Sequence, residues 1–186
     1  MSALKELIHK NEAFAESFDQ QDLTMFPELK ALVITCVDAR VDPANIFNLK
    51  IGELLVSRNL GGRVTQKIQD ELSILTVLML KMNEGKSFNF EVIVMHHTHC
   101  GTQSFVKEDL QQAVHHKTGL DIAEYANHDL ETCLQQDVEA LARNPVLPDF
   151  FKVSGCIYDV KTGGVQESIG TTTIGEMRKS LAQPKQ

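Results

Sequence analysis

The chain has 186 residues and a formal net charge of -7, with 42% hydrophobic and 23% charged residues. That composition suits a globular chain long enough to bury a core of its own. The acidic balance, with no basic block, excludes nucleic acid as a partner, and every apolar stretch is too short for the ~20 residues that span a membrane.

Taken in order, the chain predicts a single domain over 1–186, with a helical arm and link over 1–28 and a polar tail over 170–186. Met1 to Glu6 lacks the basic start and apolar middle of a secretory leader, so the expected location is cytoplasmic. Leu4, Leu7, Ile8, Phe14 and Phe18 recur at helical spacing, giving an amphipathic helix from Ala3 to about Phe18. That helix packs either on its own domain or on a partner subunit. A polar, proline-containing link from Asp19 to Glu28 follows. Ala31 to Thr35 is the first strand. Asp42 caps a short helix opened by Pro43. Leu54 to Ser57 is the second strand, running into Arg58-Asn59-Leu60-Gly61-Gly62.

Lys67 to Glu84 is a helix apolar nearly all round, so it is expected to be buried, with its methionines as core filler and Gly85 as its stop. Phe90 to His96 is the third strand, and a short helix starts near Thr102. Gly119 to Tyr125 is irregular, and Asn127 to Arg143 is another helix. Phe151 to Tyr158 and Val165 to Ile169 form a hairpin. The tail beyond Gly170, ending Gln183-Pro184-Lys185-Gln186, is a loose helix or frayed. Strands alternating with helices give an α/β fold, a mostly parallel central sheet of four to five strands flanked by helices on both faces.

The chemistry lies in two stretches that each follow a buried-strand run: Cys36-Val37-Asp38-Ala39-Arg40 and His97-Thr98-His99-Cys100-Gly101. The chain's four cysteines are too few for a disulfide scaffold. Clustered Cys and His in a reducing compartment read instead as metal ligands. Cys36, His97 and Cys100 offer two thiolates and one imidazole, the donor set of a Zn2+ site with its fourth position open. Ligands of an open α/β sheet collect at the carboxyl ends of its strands, which would bring the two stretches together. Only His97 keeps the three-residue step to Cys100. His96, at a strand end, reads as buried and hydrogen-bonded, and His99 as a possible proton relay. His115, His116 and His128 read as surface residues, and Cys133 and Cys156 as inert core thiols.

Two thiolates neutralise the charge of the zinc, so a water on it is less acidified than at a three-histidine site and needs help from the protein. The catalytic candidates are Asp38 and Arg40: the arginine keeps the aspartate charged and oriented to accept the proton of the attacking oxygen. Gly61 and Gly62, beside Leu60, are the candidate substrate-binding segment, with backbone N–H groups for a developing oxyanion. Arg58 and Asn59 would hold that loop in place.

The order CVDAR, GELLVSRNLGG, HHTHCG resembles the β-class carbonic anhydrase family, over roughly Leu4 to Ser168. CVDARVDP with HHTHCG is similar to a compact branch that also contains carbonyl sulfide hydrolases. The resemblance implies a β-carbonic-anhydrase-like fold with one zinc per chain. A hydroxide held on that zinc would hydrate carbon dioxide reversibly to bicarbonate. Release of hydrogen sulfide from carbonyl sulfide at the same site is the alternative, and a non-catalytic structural zinc protein is the reading from another class. The family also implies a homodimer or dimer of dimers with exchanged N-terminal helices. In it the residue matching Asp38 can swing in as fourth zinc ligand, released by the arginine. Much of the family has alanine where this chain has Leu60, and aspartate or lysine where it has His99. A plant-like branch has a substrate-binding glutamine near Leu49, so the pocket here is expected to be more apolar.

Overall fold

A computed structural model describes residues 2–183; Pro184, Lys185 and Gln186 of the expected tail lie outside the described residues. Five strands, β1 (Ala31–Cys36), β2 (Leu55–Asn59), β3 (Glu91–His97), β4 (Lys152–Tyr158) and β5 (Val165–Thr173), form one sheet in the order β2-β1-β3-β4-β5. The first four are mutually parallel, and β5 returns antiparallel from β4 as the expected hairpin. The helices are α1 (Ala3–Glu16), α2 (Pro43–Ile46), α3 (Gln66–Met82), α4 (Glu108–Thr118), α5 (Leu130–Arg143) and α6 (Ile174–Leu181). Among the described residues, no helix is long and apolar enough to cross a membrane.

β1 is buried along its whole length, as its unbroken apolar run requires of a central parallel strand. Alternate residues then feed two cores. Leu32, Ile34, Val92 and Val94 join Leu72 of α3, Leu134 and Leu141 of α5 and Ile174 of α6 in the larger one. Full burial of each such side chain contributes about 1.5–3 kcal/mol. Val33 and Met95 point the other way, into a smaller cluster with Val41, Cys156 and, from α2, Ile46. The long helices therefore cover one face, while the opposite face carries α2 and loops.

Two segments, α3 and the tail, depart from expectation, and for α1 one of two open alternatives falls away. α3 is not buried all round: Ile68, Leu72, Thr76 and Met79 face the sheet, whereas Ile74 is 71% and Val77 57% exposed. Apolar character on every side does not say which side has a neighbour. α1 buries none of its residues on this chain, so packing on its own domain is not what its apolar stripe does. The tail is neither loose nor frayed over the described residues. β5 continues to Thr173, whose hydroxyl and the Glu176 carboxylate form a reciprocal cap for α6. Arg178 of α6 then donates to the carbonyls of Ala142, Asn144 and Leu147, closing the end of α5.

Candidate metal centre

Sheet order places the chemistry. From β1 the chain steps to β2 on one side, then crosses to β3 on the other, so the connections diverge at the carboxyl ends of β1 and β3. Thr35 pairs with Met95 in register, which sets Cys36 beside the end of β3, where His97 sits. The turn after β3 brings Cys100 back. The two sulfurs lie 3.9 Å apart, and one ligand atom from each of Cys36, His97 and Cys100 lies within 4.8 Å of the others. All three residues are buried. The structure brings together the three residues singled out from sequence.

The His97 ring is oriented for a ligand. Its Nδ1 is 2.9 Å from the Thr98 carbonyl oxygen, which only accepts, so Nδ1 carries the hydrogen and donates. The lone pair is left on Nε2, which is buried without a hydrogen-bond partner. An orphaned acceptor against two thiols is costly unless a cation completes it. The donor set, soft sulfur and imidazole nitrogen, fits zinc. Without metal the thiols behave as a pair. Cys100 is drawn down to about 6, first by its hydrogen bond with Cys36 and then, against the cost of burial, by Thr102, whose hydroxyl is 3.1 Å from its sulfur. Cys36 is pushed up to about 12 by the same shared bond and by burial.

Asp38 stands outside the three-residue group, because Arg40 holds it. The guanidinium donates Nε to Oδ1 at 2.9 Å and Nη2 to Oδ2 at 2.6 Å, and the Arg40 amide adds a 2.9 Å bond to Oδ1. This keeps the Asp38 carboxyl well below the usual carboxylate range, against the opposing effect of burial. Arg40 Nη2 also reaches the carbonyl of His99 at 3.1 Å. His99 has a left-handed backbone, φ 53°, that turns this carbonyl toward the arginine, and its ring is on the surface.

Arg58 donates to the carbonyls of Cys36 (3.0 Å), Asp38 (2.8 Å) and Val41 (2.6 Å), clasping the whole Cys36–Val41 loop. The Asn59 side chain bonds both the carbonyl (2.7 Å) and the amide (2.9 Å) of Arg63, pinching the Leu60–Gly62 turn shut. Both glycines have positive φ and no room: a Cβ on Gly61 would lie 2.7 Å from the Tyr125 carbonyl oxygen, and one on Gly62 2.9 Å from the Cys36 nitrogen. Leu60 is half-exposed and lines a cavity of about 330 Å³ with Val37, Arg58, Thr65 and Tyr125.

His96 is buried and hydrogen-bonded, as expected, but its partner went unforeseen. Asp137 of α5 lies 2.9 Å from its Nε2 and 2.6 Å from Nε of Arg63. The signal was present in the sequence: Asp137 is a lone charge on the stripe Cys133, Leu134, Val138, Leu141, where every other residue is apolar and buried. Thr102 and Tyr125 were also missed, and neither stands in a pattern that marks it. Cys133 and Cys156 are buried and stand apart from the metal group.

The carbonic anhydrase family model matches residues 31–165. Beta-carbonic anhydrase 1 of Mycobacterium tuberculosis is 28% identical over 169 residues, covering 90% of this chain and 98% of that protein. Among solved structures, the carbonic anhydrase of Streptococcus mutans is similar with a TM-score of 0.75 and 30% identity, over 90% of this chain and 98% of that one. The carbonic anhydrase of Glaciozyma antarctica gives a TM-score of 0.72 at 27% identity, over 90% and 99%. A match through both halves of the metal group and the loop between them leaves one conclusion: the chain belongs to the β-carbonic anhydrase family.

Proposed function

We propose that this chain is a zinc enzyme that reversibly hydrates carbon dioxide to bicarbonate. The observation that carries the reading is the buried Cys36–His97–Cys100 group, with its unpartnered Nε2, at the divergence point of the sheet. Cys36, His97 and Cys100 would hold the metal, three protein ligands rather than the four of a purely structural site. When bound, zinc supplies a Lewis acid that lets water react as a nucleophile near neutral pH.

The chain's own residues do the rest. Asp38, kept charged by Arg40, accepts the hydrogen of the attacking oxygen at a carboxylate oxygen and so aims a lone pair at the carbon. Arg58 holds that loop by its carbonyls, fixing Asp38 relative to Cys36. Leu60 and Val37 give carbon dioxide an apolar wall to rest against, and the backbone of Gly61 and Gly62 steadies the developing negative oxygen. His99, on the surface beside Arg40, passes the released proton to solvent.

The apolar wall suits carbonyl sulfide equally, so the decisive test runs both gases on one zinc-loaded preparation. Rapid hydration of carbon dioxide, abolished in Asp38→Asn with zinc retained, is expected. Negligible hydration beside brisk sulfide release would overturn the choice of substrate, and zinc retention with neither activity would favour a structural site.

The same reading includes a homodimer or dimer of dimers. Leu4, Leu7, Ile8 and Phe14 of α1 are all exposed, and the thinly covered sheet face has an apolar groove of about 340 Å³ lined by Val33, Phe47, Leu49, Leu54 and Ile93. An α1 from a second copy suits that groove. Sedimentation of Leu7→Lys/Ile8→Lys is expected to show a smaller species than the wild type, and an unchanged size would contradict the exchange.

A further inference from the structure

α5 has an ordinary amphipathic pattern broken at one place. Cys133, Leu134, Val138 and Leu141 are fully buried, and among them Asp137 is only 4% exposed. A carboxylate there costs free energy unless it is paired, and an apolar residue of similar volume would hold the helix as well or better. Stability alone therefore does not account for Asp137.

Its partners do. Oδ1 accepts the backbone N–H of Val64 at 3.1 Å, and Oδ2 accepts Nε of Arg63 at 2.6 Å and Nε2–H of His96 at 2.9 Å. The Arg63 guanidinium also donates to the Ala126 carbonyl, and Asn127 donates to the carbonyl of Gly61 at 3.3 Å. Two segments meet on one carboxylate: the end of β3 and the residues leaving the glycine turn. Each adjoins a proposed zinc ligand. His96 precedes His97, and Gly62 lies against the backbone nitrogen of Cys36.

Geometry couples them. Successive strand residues point to opposite faces, so the His96 ring turned toward α5 sets the rotation of the strand end, and with it the direction of the His97 ring. On the other side, Asp137 holds Arg63 and Val64, and through them the turn that backs Cys36.

We propose that Asp137 is a positioning residue for the metal centre. It locks His97 and the Cys36 backing loop into one arrangement from the far side of the sheet. The inference rests on the reading that Cys36, His97 and Cys100 hold zinc.

The test is zinc affinity by chelator competition, with the visible spectrum of the cobalt-substituted protein, for wild type, Asp137→Asn and Asp149→Asn. Asp149 is the control, because it pairs with Arg178 at the end of α5 remote from the site. Asp137→Asn is expected to bind zinc ~10–100-fold more weakly and to shift the cobalt ligand-field bands, the size usual for lost outer-shell support. Asp149→Asn is expected to change neither. His96→Gln should weaken zinc binding similarly, with the double variant no weaker than the worse single, since both remove one contact. Should Asp137→Asn fail to fold, His96→Gln decides. Unchanged zinc affinity and spectrum in the folded variants, with stability alone reduced, would overturn the proposal. Wild-type protein that binds no zinc or cobalt would instead overturn the proposed function, and this inference with it.

Discussion

Gly62→Ala tests how closely the glycine turn is fitted to the metal strand. Gly62 has φ +67°, and an added Cβ would lie 2.9 Å from the Cys36 nitrogen, 2.9 Å from the Thr35 carbonyl carbon and 3.0 Å from the Thr35 Cα. Two costs follow. Holding a residue with a Cβ in the left-handed region costs about 1–2 kcal/mol. Forcing backbone apart from backbone adds about 1–3 kcal/mol, as other overpacking does. The sum, about 2–5 kcal/mol, is a large share of the roughly 5–15 kcal/mol that holds a domain folded. Gly163→Ala separates the two, since Gly163 has φ +74° with nothing within 4 Å of its Cβ position. Urea unfolding of the metal-free proteins gives both values. Gly62→Ala should cost more than Gly163→Ala by the clash, about 1–3 kcal/mol. Because the clash falls on the amide of Cys36, zinc affinity should fall as well. Equal costs for the two variants would refute the close-approach reasoning.

Four more outcomes are expected. In the metal-free protein, thiolate absorbance should show a first ionisation near pH 6, absent from Cys100→Ser. Cys100 ionises lower in the fold than in the unfolded chain, where a thiol has a pKa of about 8.5, so its contribution is complete above that value and is lost as pH falls through about 6. Cys36, raised to about 12, works in the opposite sense above the unfolded value, so metal-free stability should rise from pH 6 and decline in alkali. Asp38 is depressed by Arg40, so its contribution is present above the unfolded value of about 3.9 and lost as pH falls below it. The stability gap between wild type and Asp38→Asn should hold down to about pH 4 and narrow steadily as pH falls further in urea titrations, and a constant gap would remove the ion pair from the account of this loop. Arg58→Lys keeps the charge but cannot span three carbonyls; zinc affinity or hydration should fall ~10–100-fold.

Much of this was legible in the sequence because the informative residues have few alternative uses. Two strand runs ending just before Cys36 and His97 implied a shared sheet edge, and the His97–Cys100 step implied one turn closing on one ion. The α2 start was equally plain, since Asp42 before Pro43 is a cap with a fixed mate. A lone charge on an apolar stripe marks Asp137 as unusual, but what it does needs knowledge of neighbours. Asp137 supports the site from another element, and only the fold shows that α5 crosses behind β3. The outer side of α3 and all of α1 carry apolar residues that this chain's own packing leaves uncovered; periodicity reads those of α3 as core, and for α1 it leaves own domain and partner subunit both open. The tail is a helix, one of the two alternatives its polar composition offers, but a well-capped one: Thr173-Ile174-Gly175-Glu176 is a capping signal that a reading by composition passes over.

The central claim, that two sulfurs and one ring nitrogen from separate strand ends hold one zinc, is tested most directly by X-ray absorption at the zinc edge. The expected result is one zinc per chain with two sulfurs at about 2.3 Å and nitrogen or oxygen at about 2.0–2.1 Å, with the sulfur count halved in Cys36→Ser. A zinc shell without sulfur, or one unaltered by Cys36→Ser, would contradict it.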